Sequence, residues 1–375
     1  MLSFKIDSES LKKMLALNEQ IAQKIQKIRS LSDKEREAIY RFARVSTIGA
    51  STRIENAILT DSEIDWMDRQ LGKDGKRSAF EAKKKQIENK LSKDRERSIE
   101  EVAGCRNMLL IIYEQYQEFH PITETQIRGL HGELLRFYSK GQYHRGKYKT
   151  ITNSVVQEDP GTGEKKMVFE TAPPGPLTET AMADLVHWYN EAIEKEPYSL
   201  AVACEFTFRF LAIHPFQDGN GRLGRGLFLL SLLQSSSKSL SEITRYLAID
   251  RQIERNKEMY YLTLNRCSEG KYSSDPKQYK MEFFLKFIIK ILENSLKDIE
   301  IYQKRFARIE SLTETEREVL GCFQDRPEKK LSTKEIVKVT GIQERTVRKA
   351  LSTLIEIEML QKKGRGPQTI HQLVF

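Results

Sequence analysis

Apolar residues recur at three- and four-residue steps through most of the chain, and that period predicts a mainly α protein. KIDSESLKKMLALNEQIAQKIQKIRSLSDKEREAIYRFARV reads as one or two amphipathic helices, and Gly49 then precedes ASTRIENAILTDSEIDWM, which reads as the start of a further helix. Residues 98–119 and 123–138 continue the series, with Pro121 between them where one helix must stop and the next begin. LTETAMADLVHWYNEAIEK, SLAVACEFTFRFLAI, GLFLLSLLQ, IDRQIERNKEMYYLTLNR and KQYKMEFFLKFIIKILENSLKDIEIYQKRFARI follow in the same pattern. One stretch breaks it. In residues 146–176, GKYKTITNSVVQEDPGTGEKKMVFETAPPGP, β-branched runs flank the turn cluster DPGTG, which predicts a β-hairpin. Near the C-terminus LTETEREVLGCF, LSTKEIVKVTG and IQERTVRKALSTLIEIEML give three short helices, and LQKKGRGPQTIHQLVF adds two β-rich pieces around a basic glycine turn. That layout predicts a small winged helix-turn-helix domain over 312–375, after an N-terminal helical region at 1–97 and a helical core at 98–311.

Composition changes this picture little. Hydrophobic residues at 39% and charged residues at 31% over 375 positions describe a globular chain able to bury a core. No run reaches the roughly 20 apolar residues of a membrane span, and the N-terminus lacks the pattern of a secretory signal. Cys105, Cys204, Cys267 and Cys322 lie far apart without metal-binding spacing, so they read as reduced thiols. A cytoplasmic protein with no membrane partner is expected. The net charge of +9 favours anionic partners. In residues 72–98, ten Lys/Arg face five Asp/Glu. Mixed signs and scarce aromatics there suit a solvated linker or exposed helix better than a nucleic-acid stripe.

The candidate chemistry sits between two apolar helices, in HPFQDGNGRLGR, His214 to Arg225. Gly219 and Gly221 let the backbone curl at a helix start, where free N–H groups and the positive end of the dipole make an anion site. Arg222 and Arg225 are three apart and share a face, an arrangement suited to a polyphosphate. Asp218 at the rim is placed to hold Mg²⁺ bridging phosphate oxygens. His214 stands near enough to take a proton from a hydroxyl at neutral pH. Phe216 reads as an anchor that holds the loop in the core. Each residue taken singly also has a structural reading as a packed histidine, a turn, a helix cap or a surface ion pair.

HPFQDGNGRLGR matches the signature HxFx(D/E)GNGRxxR and so resembles the Fic-domain proteins, over roughly residues 100–300. The resemblance implies an all-helical Fic core with a hairpin flap at about 146–172, and transfer of AMP from ATP, with Mg²⁺, to a Ser, Thr or Tyr hydroxyl of a target protein. His214 would then be the general base and Asp218 the Mg²⁺ ligand. Gly219, Asn220 and Gly221 would form the anion hole, Asn220 on the α-phosphate, in an ATP-binding stretch that continues through Arg222, Leu223, Gly224 and Arg225. Arg222 would take the β-phosphate and Arg225 the γ-phosphate. The flap around Met167 to Glu170 would pair with an extended segment of the target. Tyr260 and Tyr261 resemble the family's adenosine-side aromatics, and helix packing explains them equally well. STRIEN, Ser51 to Asn56, matches the family's inhibitory pattern (S/T)xxxE(G/N), with Glu55 set to pair with Arg225, although Ser and Glu at this spacing also make an ordinary helix start.

Two readings stay open beside an autoinhibited adenylyltransferase: removal of AMP or transfer of another phosphate group at the same site, and a nucleotide-sensing transcriptional regulator. In the C-terminal domain Arg345, Arg348 and Lys349 on its third helix, with Lys362, Lys363 and Arg365 in the wing, suit DNA as well as protein contact. That domain holds twelve Lys/Arg against nine Asp/Glu. Self-modification and a homodimer through helical faces are also compatible with the sequence.

Overall fold

The computed structural model describes the chain except residues 73–95, 159–163, 325–329, 358, 365–368 and 374–375. The DPGTG turn, most of the 72–98 segment and Arg365 therefore lie outside the described residues. The fold is mainly helical, and it divides into two compact units, one of residues 1–57 with 100–300 and one of residues 58–99 with 301–375.

The first unit is built around two helices that are buried on nearly every side. All residues of α7 (Ser199–Ile213) except Arg209 are buried, and so are all residues of α8 (Asn220–Leu233) except Gly221. Helices this rich in buried apolar residues lie inside the unit, and α7 and α8 pack on each other there. Around them stand α1 (Ser8–Arg29), α2 (Asp33–Ile54), α4 (Glu96–Gln115), α5 (Glu124–Leu134) and α6 (Pro176–Lys195). The chain continues as α9 (Lys238–Thr244), α10 (Ile249–Arg255) and α11 (Lys257–Ser268) into the long α12 (Met281–Glu310). α2 packs along α10 and against α8, and α1 packs along α9, so these two N-terminal helices lie in the same unit as α7 and α8.

Gly49 is a correction. The sequence suggests a helix start after it, whereas α2 runs through it unbroken and ends only at Ile54. A helix-interior glycine costs about 1 kcal/mol, less than the packing of the buried residues Val45, Ile48, Ala50 and Ile54 around it returns. As a result Ser51 and Glu55 mark the end of a helix and not its beginning.

The expected hairpin is present as β1 (Ser154–Glu158) and β2 (Lys165–Glu170), antiparallel, with an irregular register between Val155 and Val156. Val168 and Phe169 turn inward, while Met167 stays exposed.

The second unit contains α3 (Asp61–Gly72), α13 (Glu314–Gln324), α14 (Thr333–Thr340) and α15 (Glu344–Glu356). A three-stranded antiparallel sheet of β3 (Leu331–Ser332), β4 (Leu360–Lys363) and β5 (Ile370–Leu373) runs in the order β3-β5-β4. A core of its own, including Val319, Phe323, Ile336, Val347, Leu351 and Leu354, joins α13, α14 and α15. Ser332 and Glu335 close a capping box at the start of α14, and Gly341 ends that helix in the left-handed conformation, φ 71°. Among the described residues no helix is long and apolar enough to cross a membrane. All four cysteines are free thiols.

Candidate active site

The site forms where α7 ends and α8 begins. His214 caps α7 in the left-handed conformation, φ 52° and ψ 57°, its N–H donating to the Phe210 carbonyl at 2.9 Å. This conformation is uncommon for a residue with a Cβ, and it turns the chain sharply out of α7. The imidazole Nδ1 lies 3.1 Å from the Leu211 carbonyl oxygen. A carbonyl can only accept, so Nδ1 carries the hydrogen and Nε2 presents a lone pair. Burial pushes the His214 pKa down to about 4, so the ring is neutral at neutral pH.

Phe216 anchors the loop, as the sequence suggests. It is fully buried and stacks on the His131 ring at 3.9 Å, with the ring planes 9° apart. Sequence reasoning missed His131. Its Nδ1 accepts from the Gly146 N–H at 2.9 Å, which leaves Nε2–H to donate to the Asp218 carbonyl, also at 2.9 Å. One ring thus joins the entrance of the hairpin segment to the phosphate-side loop. The available signal was its place on the apolar face of α5, with Ile127, Leu130 and Leu134.

Burial lowers the His131 pKa from 6.5 to about 4, which sets a stability window. A depressed folded-state pKa contributes stability that is complete above 6.5 and lost as pH falls through 4. Denaturant titrations should therefore show wild type losing up to about 3 kcal/mol more than His131→Asn between pH 7 and pH 4. Parallel pH profiles for the two proteins would remove the assignment.

At the start of α8, Gly219 adopts φ 82°, and a Cβ there would come within 3.1 Å of Leu134. Glycine is required by both conformation and space. The Asp218 carboxylate accepts from the Gly219 N–H at 2.6 Å and from Arg222 Nη2 at 3.3 Å. The side chain of Asn220 is engaged within the loop. Its Oδ1 accepts from the Phe216 N–H at 2.9 Å and its Nδ2 donates to the Phe216 carbonyl at 2.6 Å. Its amide braces the loop.

The two arginines differ in surroundings, although the sequence has them converge. Arg222 is 3% exposed, with Asp218 at 3.3 Å and Glu101 at 3.9 Å, and its Nε and Nη1 make no hydrogen bond among the described residues. Buried guanidinium donors without acceptors fit a polyphosphate beside the first turn of α8. Arg225 is fully engaged. Its Nη2 donates to Glu55 Oε1 at 2.9 Å and to the Ser51 carbonyl at 2.8 Å, and its Nε donates to Ser51 Oγ at 3.1 Å, with Asp250 at 3.5 Å. Asp250 is a further partner that sequence reasoning missed. Leu223 and Gly224 face the core, where a Cβ on Gly224 would meet Leu211 at 2.9 Å.

Glu55 is the C-cap residue of α2. A Cβ built on Gly221 would lie 2.3 Å from its Oε1, so the carboxylate rests against the first turn of α8, where an anion is favoured. Asn56 follows at φ 69°, a left-handed position that Gly and Asn occupy at least cost. Its Oδ1 accepts from Lys257 Nζ at 3.0 Å. Tyr260 and Tyr261 are both buried on α11. Burial pushes the Tyr260 hydroxyl up to about 12, with the charges of Arg225 and Glu55 acting on it. At the hairpin, the Val168 carbonyl accepts from Asn265 Nδ2 at 2.5 Å and the Glu170 N–H donates to the Gly270 carbonyl at 3.0 Å. Within Met167 to Glu170, two of the edge groups the sequence leaves for a target strand are therefore bonded to α11 and the turn after it.

A helical core with a HxFxDGNGRxxR loop between two buried helices and a hairpin beside it defines a Fic-type domain. Residues 121–232 match the Fic/DOC family, and the chain carries a domain of that family. A Fido domain-containing protein of Dictyostelium discoideum is 46% identical over 59 residues, which are 15% of this chain and 40% of that protein. Two solved structures share the fold along most of their length. One is a Fic family protein from Desulfovibrio desulfuricans G20 (22% identity, TM-score 0.55, covering 100% of this chain and 98% of that one). The other is a Fic domain containing signaling protein from Bacteroides thetaiotaomicron VPI-5482 (23%, TM-score 0.56, 77% and 98%). Fic-1 from C. elegans, residues 134–508, aligns at 15% identity and TM-score 0.54, over 80% of this chain and 74% of that one.

Proposed function

We propose that the protein transfers AMP from ATP to a hydroxyl side chain of a target protein and is held in check by Glu55. The observation that carries this reading is the Glu55 carboxylate on Arg225 and against the first turn of α8, inside a complete HPFQDGNGRLGR loop. His214 Nε2 accepts the hydroxyl proton. The hydroxyl oxygen then bonds to the α-phosphorus, and the bond to the β-phosphate oxygen breaks, releasing pyrophosphate. Arg222 and the backbone N–H groups of Asn220 and Gly221 hold the phosphates, and Arg225 reaches the γ-phosphate once Glu55 gives it up. Asp218 would hold Mg²⁺, which when bound offsets charge on the phosphates. Among the described residues no three His, Cys, Asp or Glu side chains cluster as a cage. One carboxylate plus phosphate oxygens is the usual setting for this ion. ATP labelled at the α- or the γ-phosphate, incubated with lysate, tests the reading. Label from the α position alone on a protein band supports it, and label from the γ position overturns it.

We further propose that α13–α15 with the β3-β5-β4 sheet act as a winged helix that contacts duplex DNA. Arg345 and Lys349 are exposed on the outward face of α15, beside Arg348, which is bonded to Glu344, and Lys362 and Lys363 are exposed on β4. Mobility shift of duplex DNA should appear at low salt and weaken steeply as salt rises, and Arg345→Ala/Lys349→Ala should abolish it. No shift at low salt assigns the domain to a protein partner instead.

A further inference from the structure

A buried polar cluster lies between the hairpin and the His214 loop, centred on Lys149, whose side chain the roles above leave unused. Lys149 is 3% exposed. Its ammonium donates to Asn153 Oδ1 at 2.8 Å, to Thr171 Oγ1 at 3.0 Å and to the Ile213 carbonyl at 3.0 Å, so all three hydrogens are used. Its backbone N–H donates to the Pro215 carbonyl at 2.7 Å. Asn153 directly precedes β1 and Thr171 directly follows β2, while Ile213 and Pro215 flank His214. Asn153 Nδ2 adds a bond to the Phe216 carbonyl at 2.8 Å, and Thr171 Oγ1 lies 2.7 Å from Asn153 Oδ1.

We propose that Lys149 is a positioning residue that sets the His214 imidazole against both feet of the hairpin. The proposal rests on reading His214 as the base and the hairpin as the guide for the incoming hydroxyl. Burying an ammonium whose three acceptors are all uncharged is costly, and burial alone holds the Lys149 pKa down to about 8. An apolar residue would fill the space at lower cost but could not bind acceptors from two separate elements at once. A three-pronged donor fixes the distance between them. Among the described residues the Lys149 ammonium makes no bond to the start of α8, and the link to that end runs through the Phe216 carbonyl, which accepts from both Asn153 Nδ2 and Asn220 Nδ2.

Lys149→Met keeps the apolar stem and removes the donors. With ¹⁵N-labelled histidine, the His214 ring signals should move from the single tautomer fixed by Leu211 toward a mixture. In the same protein the Ala172 amide, which donates to the Ala212 carbonyl at 3.3 Å, should exchange about tenfold faster or more. In a Glu55→Gly background, kcat for α-label transfer should fall by a larger factor than the affinity for ATP. Faster exchange in the hairpin with unmoved His214 signals would overturn the proposal, as would no change in either. If Lys149→Met does not fold, Thr171→Val removes one acceptor with little change of shape, and the same two readouts should shift together, less far. The spectroscopic readouts need no turnover, so a protein that transfers no AMP still tests the positioning role.

Discussion

Replacing Glu55 with glycine should raise incorporation of α-labelled phosphate into protein by roughly 10- to 100-fold. The size follows from the contact removed: a charge-assisted hydrogen bond contributes about 1.5–3 kcal/mol, and each 1.4 kcal/mol is a factor of ten. Arg225 cannot hold the Glu55 carboxylate and a terminal phosphate together, and the carboxylate also occupies the first turn of α8 that would receive phosphate oxygens. The arginine does not depend on Glu55 for its place. Ser51 supplies two acceptors and Asp250 a second carboxylate, so the guanidinium remains fixed when Glu55 is gone. Burial opposes its charge, and these two acids more than offset that, holding the Arg225 pKa above its ordinary value. Glu55→Gln, which keeps the size and loses the charge, should fall between wild type and the glycine variant. Calorimetry with Mg–ATP checks the cause, because affinity or pose must change along with rate. Equal labelling by wild type and Glu55→Gly, with ATP bound by both, would sink the inhibitory reading.

What the sequence revealed divides by the range of the signal. α7, α8, the hairpin and the HPFQDGNGRLGR loop are written in local terms: unbroken apolar runs, a turn cluster between β-branched stretches, and glycines at a helix start. The Glu55–Arg225 contact could be reached through the STRIEN motif, although Gly49 hid that the motif closes a helix. In that position the α2 carbonyl end faces Arg225, which is where a cation is favoured. The features that were missed are long-range. His131 meets Asp218 across 87 positions, and Arg225 meets Asp250 from a different helix. Composition around either partner gives no hint of these pairings. Asn220 is a further detail of the loop: its amide bonds both the N–H and the carbonyl of Phe216, a use that residue type alone does not reveal.

Removing the imidazole of His214 should cost about 10²- to 10⁴-fold in transfer, the usual worth of a positioned general base. The measurement is clearest in the Glu55→Gly background, where the parent rate is highest. ATP affinity should not change, because the ring bonds to Leu211 and the phosphates belong to the start of α8. Alanine alone is a poor probe. His214 sits at φ 52°, and an alanine forced into that conformation strains the turn between α7 and α8. Asparagine tolerates the left-handed region, so His214→Asn preserves the turn and removes the base. The two variants should lose transfer equally if the imidazole acts chemically, whereas a loss confined to His214→Ala would mark a role in the turn alone. The pH profile adds a second test whose sign follows from burial. The lowered pKa keeps Nε2 unprotonated as pH falls, so transfer by the Glu55→Gly protein should not lose its base until pH approaches about 4. An acid limb near 6.5, the value of a solvent-exposed histidine, would show that the ring is not held as the structure has it.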